Sequence, residues 1–175
     1  SLPRKQQLLD WASQNEAWII EDDYDGEFHY TRKVLPSLKS LDQHDRVIFM
    51  GTFSKTIMPS LRMGYVVMPA STVGAFTDCA DITTSGQPVL TQKILTAFLN
   101  EAHFFRHLKK MRALYQTRRD WMIAALREVY GDLFFTEQND GGMHIVAFLT
   151  KGSCDREVAR CWQEQQLQVN ALSEW

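Results

Sequence analysis

The sequence predicts an α/β fold, because short apolar runs that suit strands alternate with stretches of helical periodicity. The apolar runs cover residues 17–20, 47–50 and 65–68. The helical stretches cover residues 1–14, 71–81, 89–100 and 101–130. A continuous apolar run is typical of a parallel strand that is covered on both faces. We therefore expect a parallel sheet with helices packed on it.

The first helix has a recognisable start. Ser1 suits the N-cap, Pro3 suits the first turn, and Leu8, Leu9 and Trp11 provide apolar side chains to bury.

The strand predicted at residues 17–20 has no earlier strand with which to pair. The chain also stops in the middle of a pattern, so both ends are expected to be cut.

Four polar side chains lie between the second and third apolar runs: Thr52, Ser54, Lys55 and Arg62. A lysine just beyond a buried strand is expected to be partly shielded from water, which lowers its pKa and lets its amine form a Schiff base with a carbonyl. The fork of Arg62 suits a phosphate, and the two hydroxyls add donors. An amine beside a phosphate cradle suggests pyridoxal phosphate. The alternative is a solvated loop lysine and a surface ion-pair arginine.

A second polar stretch follows the first apolar run, with the sequence EDDYD at residues 21–25. Ligands of open α/β sheets bind outside the carboxyl ends of the strands, so these residues are expected to face the same crevice as Lys55. A carboxylate there can keep a pyridine nitrogen protonated, and a tyrosine can bind the ring oxygen. A plain turn is the alternative. A Ca²⁺ loop is disfavoured, because its ligand spacing is missing.

The segments AWIIEDDYDGEF and RVIFMGTFSKTIMPSLRMGY resemble the MocR/GabR family of bacterial transcription regulators, whose effector domain is similar to a fold-type I aminotransferase. The later segment HFFRHLKKMRALYQTRR also resembles this family. The resemblance implies pyridoxal 5'-phosphate as the cofactor. It implies these roles: Lys55 holds the cofactor as a Schiff base, Asp22 binds the pyridine nitrogen, Tyr24 binds the ring hydroxyl, and Thr52, Ser54 and Arg62 bind the phosphate.

The resemblance also implies how the chain is organised. Residues 1–100 would be part of the large cofactor-binding domain, residues 101–130 a linking helix, and residues 131–175 the start of a small αβ domain. The chain then resembles a fragment of a longer cytoplasmic protein. Such a protein would sense a small amine or amino acid, bind DNA through an N-terminal winged helix-turn-helix of the GntR type, and pair head to tail as a homodimer.

The longest regular feature is an apolar stripe along residues 101–130, which Gly131 ends. The periodicity alone indicates a plain packing helix, and the linking role comes from the resemblance. Beyond it we predict strands at residues 133–136 and 143–149 around a turn at 139–142, a helix at 155–165 capped by Ser153, and a strand at 167–171. His144 is interpreted as a packed or half-exposed residue rather than a catalytic one.

Composition excludes several classes of function. The chain has 175 residues, of which 45% are hydrophobic and 23% charged, and its net charge of −2 argues against a nucleic-acid surface. No apolar run approaches the ~20 residues of a membrane span. The three cysteines suggest neither a disulfide framework nor a zinc site, which fits a reducing compartment. His103 and His107 are an i, i+4 pair without an evident third ligand, so no metal is predicted.

Three functions are compatible with these patterns. The first is a cofactor-binding effector domain of a transcription regulator, and the second is a free-standing aminotransferase acting on an amino acid or another amine. The third is a packing domain that has lost its cofactor, which the intact Lys55, Asp22, Tyr24 and Arg62 disfavour. The motif sequences resemble those of the regulator family more than those of the free enzymes, which favours the regulator. Catalytic turnover stays open, because only the upstream sequence would separate the first two functions.

Overall fold

The computed structural model describes residues 1–30, 35–84, 86, 88–136, 141–150, 152 and 154–174. These residues form two compact units. The first comprises residues 1–114 together with 141–143, and the second comprises the described parts of residues 115–136 and 144–174. We describe each unit by itself.

The first unit begins with helix α1, Leu2–Gln14, followed by strand β1, Ile19–Asp23, and a short helix α2, Leu38–Leu41. The predicted first helix is confirmed. Its buried side chains are Leu9 and Ala12, whereas Leu8 and Trp11, which we also expected to be buried, are 41% and 54% exposed. Only the side of the helix that carries Leu9 and Ala12 is covered.

Three strands form the sheet of this unit in the order β1-β2-β3, with β2 at Val47–Thr52 and β3 at Gly64–Val67. Strands β1 and β2 are parallel, as predicted, and Asp22 lies beside Met50. Strand β3 is antiparallel to β2, so the expectation of a third parallel strand was wrong. The connection from β2 to β3 holds only helix α3, Phe53–Thr56, and a 3₁₀ turn at Pro59–Leu61. A parallel strand needs a crossover of a dozen or more residues.

Two acidic side chains organise the connection between β1 and β2. The carboxylate of Glu21, in β1, accepts hydrogen bonds from the backbone N–H groups of Leu38 at 2.8 Å and Lys39 at 3.0 Å. The carboxylate of Asp42 accepts from the N–H groups at the start of β2. Both ends of α2 are therefore tied to the sheet.

Three longer helices follow: α4 at Ala70–Thr83, α5 at Val89–Asn100 and α6 at His103–Tyr130. All three were predicted, with boundaries within two residues. Their buried side chains are Leu95 in α5 and Phe104 and Leu108 in α6, which join Leu9, Phe28 and Val47 in the core of this unit. No helix in the described part of the chain is both long and apolar enough to span a membrane.

The second unit contains the C-terminal part of α6, an antiparallel strand pair and helix α7, Asp155–Glu164. The strands are β4, Phe134–Thr136, and β5, Ala147–Leu149. The rings of Tyr130, Phe134 and Trp162 pack together with centroids 5.2 to 5.4 Å apart. An aromatic cluster thus holds α6, β4 and α7.

Two strand predictions beyond α6 were wrong. Residues 143–146 are not part of a strand, so β5 is shorter than expected, and residues 167–171 form no strand. Strands β4 and β5 pair only with each other among the described residues, and an extended segment without a paired neighbour does not become a strand. The Ser153 cap and residues 139–140 of the predicted turn lie outside the described residues. His144 is exposed.

Candidate functional site

An open pocket of about 280 Å³ lies where β2 gives way to α3. The residues that line it are Thr52, Ser54, Lys55, Arg62, Met63 and Gly64. Four of the six site residues predicted from the sequence therefore share one pocket, at the carboxyl end of β2. This is the end of a parallel strand at which open α/β sheets bind their ligands.

Thr52 closes the turn that carries the pocket. Its Oγ1 accepts a hydrogen bond from the N–H of Ser54 at 3.1 Å, which caps α3, and donates one to the carbonyl of Met63 at 3.2 Å. The N–H of Phe53 donates to the same carbonyl at 2.9 Å. The chain leaving β2 and the chain entering β3 are thereby fixed against each other, and the Thr52 hydroxyl is part of that closure.

Arg62 lies at the other side of this turn in a left-handed backbone conformation, with φ 48° and ψ 37°. A residue with a Cβ atom pays roughly 1–2 kcal/mol for this conformation. The side chain is exposed and makes no hydrogen bond or ion pair with the residues that the structure describes. Four other non-glycine residues among those described share this conformation, so the exposed guanidinium beside the pocket, and not the backbone, is what makes Arg62 a candidate ligand.

Lys55 projects from a helix of only four residues, Phe53–Thr56. The side chain is exposed, so the partial shielding that we expected for it is not found. Helix α3, which carries Lys55, is instead fixed by packing of its neighbouring side chains. The Phe53 ring packs on the rings of Tyr65 and Phe104, with centroid distances of 5.2 and 6.0 Å, and Thr56 is 2% exposed.

Asp22 and Tyr24 do not line the pocket; they lie at the end of the neighbouring strand. Asp22 is in register with Met50, and parallel neighbours in register place their side chains on the same face. Thr52, two residues beyond Met50, shares that face. Asp22 is exposed and Tyr24 is 40% exposed. The structure thus places Asp22 on the sheet face that carries Thr52.

The sequence analysis missed an acidic group, Glu27, which lies near Asp23, the residue of β1 whose side chain faces away from that of Asp22. Burial raises the pKa of Glu27, and Asp23 and Asp25 act in the same direction, opposed by the Glu27 N–H and the charge of Arg112. Its Oε2 atom is buried without a hydrogen-bond partner among the described residues. The pKa of Tyr65 is also raised, foremost by burial and further by the negative charges of Glu27 and Asp23. The alternation along β1 was the available signal, since it places Asp23 opposite to Asp22.

The donors of the pocket fit pyridoxal phosphate chemically. A guanidinium and hydroxyl groups are ligands for a phosphate, and an exposed lysine amine such as that of Lys55 can condense with an aldehyde. A carboxylate on the same face, Asp22, suits a protonated pyridine nitrogen. In the described part of the chain no group of three or more His, Cys, Asp or Glu side chains could hold a metal ion.

The chain is similar to several bacterial regulators. It is 37% identical over 166 residues to a probable rhizopine catabolism regulatory protein, MocR, of Rhizobium meliloti, covering 95% of this chain and 34% of that protein. It is 34% identical to the pyridoxine biosynthesis regulator PdxR of Corynebacterium glutamicum, covering all of this chain and 38% of that protein. The resemblance to MocR-type regulators is confirmed. The chain spans about a third of the length of these curated relatives.

Solved aminotransferases share the fold. The structure of a kynurenine aminotransferase from Pyrococcus horikoshii matches with a TM-score of 0.86 and 27% identity, covering 95% of this chain and 41% of that one. The α-aminoadipate aminotransferase LysN of Thermus thermophilus matches with a TM-score of 0.86 and 25% identity, covering 96% of this chain and 44% of that one. The predicted fold, part of a fold-type I aminotransferase, is confirmed. Residues 1–174 match the family described as aminotransferase class I and II, and the chain belongs to that family.

Proposed function

We propose that the chain is the aminotransferase-like effector domain of a MocR/GabR-type transcription regulator, and that it holds pyridoxal 5'-phosphate covalently on Lys55. The observation that carries the proposal is the shared pocket of Thr52, Ser54, Lys55 and Arg62 at the carboxyl end of β2. The regulator names of its relatives support the role in transcription.

Each side chain has one task in this proposal. Arg62, Ser54 and Thr52 bind the phosphate, and the Thr52 hydroxyl, which has a single proton, turns it from the Met63 carbonyl to the phosphate when the cofactor binds. The Lys55 amine takes up the cofactor aldehyde, Asp22 keeps the ring nitrogen protonated, and Tyr24 binds the ring hydroxyl. When bound, the cofactor supplies an electron sink and an aldehyde that an incoming amine can capture.

The covalent link is tested on the full-length protein. We expect a yellow protein, and reduction with borohydride followed by peptide mapping should fix the cofactor to the peptide that contains Lys55. The variant Lys55→Ala should lose the adduct, whereas Lys93→Ala, which removes an exposed lysine of α5, should keep it. A reducible adduct that survives in Lys55→Ala would refute the assignment.

The domain organisation follows the same proposal. Residues 1–100 belong to the large cofactor-binding domain, residues 101–130 form the linking helix, and residues 131–175 begin the small domain. The full-length protein binds DNA through an N-terminal winged helix-turn-helix, responds to an amine or amino acid, works in the cytoplasm and pairs head to tail. Sedimentation and a DNA mobility shift with and without candidate amines test these parts one by one.

A free-standing aminotransferase is the second candidate, because the chain is also 30% identical over 149 residues to the aromatic-amino-acid aminotransferase 1 of Thermococcus litoralis. Both candidates use the same pocket residues. A full-length protein that converts an amino acid to its oxo acid with turnover and does not bind DNA would favour the enzyme. DNA binding that an amine alters would favour the regulator.

A further inference from the structure

Two side chains of α6 donate hydrogen bonds to backbone carbonyls beside the candidate site. Nε2 of His107 lies 2.8 Å from the carbonyl oxygen of Thr56, the residue after Lys55. Nε of Arg112 donates to the carbonyl oxygen of Glu27, three residues after Tyr24. All of these residues belong to the first unit. One helix therefore contacts both segments that carry predicted site residues.

The contact of His107 stabilises helix α3, which is too short to be stable by its own hydrogen bonds. Helix α3 has four residues, which is far below the length at which helical hydrogen bonds alone are stable. A carbonyl can only accept a hydrogen bond, so Nε2 of His107 carries the proton. The Phe98 ring packs against the His107 ring at 6.2 Å between centroids and orients it.

The contact of Arg112 acts on the segment that follows β1. The guanidinium of Arg112 is planar and presents its N–H donors in a rigid fork. It also lies close enough to Glu27 to oppose the effect of burial on that carboxyl group. The carbonyl that it binds is five residues beyond Asp22, so the contact ties down the chain that continues from the candidate carboxylate.

We propose that His107 and Arg112 are positioning residues that set the distance between the Lys55 amine and the Asp22 carboxylate. They are five residues apart on a rigid helix, which separates them by about 7.5 Å along its axis. The fixed spacing of His107 and Arg112 on α6 is thereby imposed on the segment after β1 and the segment after β2, which the sheet also joins. This inference rests on the proposed cofactor role of Lys55 and Asp22.

The test uses the full-length protein and variants that remove only the donors. His107→Phe keeps a ring against Phe98 but has no N–H, and His107→Gln restores an N–H donor without the ring. Arg112→Met keeps the stem without the guanidinium, and Arg112→Lys restores a donor. Lys110→Ala, on an exposed position of the same helix, is the control.

Two readouts separate positioning from a general loss of structure. The first is amide hydrogen exchange of residues 53–57 and 22–27, measured without cofactor. The second is the rate at which the cofactor adduct forms on Lys55, together with the pH at which the absorbance change of that adduct is half complete. We expect His107→Phe to speed exchange at residues 53–57 and slow adduct formation about three- to tenfold, the worth of one hydrogen bond. Arg112→Met should speed exchange at residues 22–27 and slow adduct formation by a similar factor. Both variants should shift the pH midpoint of the adduct absorbance. The conservative variants should recover most of each effect.

The outcomes are distinguishable. Unchanged exchange and an unchanged midpoint in His107→Phe and Arg112→Met would overturn the positioning role. Faster exchange across the whole protein, or equal effects in Lys110→Ala, would also overturn it. A wild-type protein that forms no adduct on Lys55 would refute the proposed function, while the exchange measured without cofactor would still decide whether α6 holds the two segments.

Discussion

The carboxylate of Asp42 accepts a hydrogen bond from the backbone N–H of Val47 at 2.8 Å, at the residue where β2 begins. The same carboxylate accepts from the N–H groups of Arg46 at 2.9 Å and His44 at 3.1 Å. Its side chain is only 2% exposed. Burial raises the pKa of Asp42, but these donors and the nearby Lys39 charge outweigh it and hold the pKa below its usual value of 3.8. Asp42 thus fixes one end of the strand whose other end leads to Lys55.

Asp42→Ala should lower the free energy of unfolding by about 1–3 kcal/mol at pH 7, because backbone N–H groups lose their acceptor. The pKa of Asp42 is lower in the folded than in the unfolded protein. Its ionised form therefore adds stability above the unfolded pKa, and this contribution disappears as the pH falls through the folded pKa. Urea unfolding at several pH values should show the difference shrinking in acid. Asp78→Ala, at an exposed position of α4, should change little; a constant difference at every pH would contradict the prediction.

Glu27→Gln should change stability with the opposite sign. The pKa of Glu27 is raised above 4.5 in the folded protein, foremost by burial, so folding favours the protonated form. The wild-type protein loses stability as the pH rises through the folded pKa, and the neutral amide avoids this loss. We expect the variant to be the more stable one at neutral pH and equal to wild type below the unfolded pKa. Thermal unfolding at both pH values measures this, and a variant that is less stable at pH 7 would refute it.

Gly51→Ala and Gly74→Ala should have opposite effects. A Cβ atom at Gly51 would lie 2.4 Å from Cζ of Tyr65, whereas nothing lies within 4 Å of one at Gly74 in helix α4. Displacing the packed Tyr65 ring should cost about 1–3 kcal/mol. Alanine in place of an exposed helical glycine should instead gain about 0.5–1 kcal/mol. Urea unfolding compares the two variants, and a neutral Gly51→Ala would show that the ring has room to move.

Arg62→Gln should weaken cofactor binding and leave the fold intact. Hydrogen bonds between charged groups contribute about 1.5–3 kcal/mol, so the proposed phosphate contact predicts a loss of affinity of about 10- to 100-fold. Titration of the cofactor-free, full-length protein, followed by absorbance, gives the affinity. Arg4→Gln, at an exposed position of α1, is the matched control. Equal affinities for wild type and Arg62→Gln would remove Arg62 from the site.

The part of the site that the sequence predicted is the part that is local in the chain. Thr52, Ser54, Lys55 and Arg62 lie within one short connection, so the polar residues between two apolar runs were bound to stay close. The helices at α5 and α6 were predicted because their apolar spacing repeats over several turns. These features need no knowledge of which segments pack together.

The features that were missed depend on distant partners. An apolar run of four residues has the same pattern in either direction, so the run itself does not distinguish the antiparallel β3 from a parallel strand, and the short connection from β2 was the available signal. The contact of His107 with Thr56 joins residues 51 positions apart, and no local pattern encodes it. The exposure of Lys55 likewise depends on which segments surround it, not on the strand that precedes it.

The contacts of Glu21 help to fix which acidic residue of β1 lies beside Met50. Side chains of a strand alternate between its two faces, so a slip by one residue would turn Asp22 away and bring Glu21 or Asp23 beside Met50. Charge alone would not penalise such a slip, because all three residues are carboxylates. The penalty comes from Glu21, which would abandon the N–H groups of Leu38 and Lys39. Glu21 therefore helps to keep Asp22, the carboxylate that we propose binds the cofactor, beside Met50.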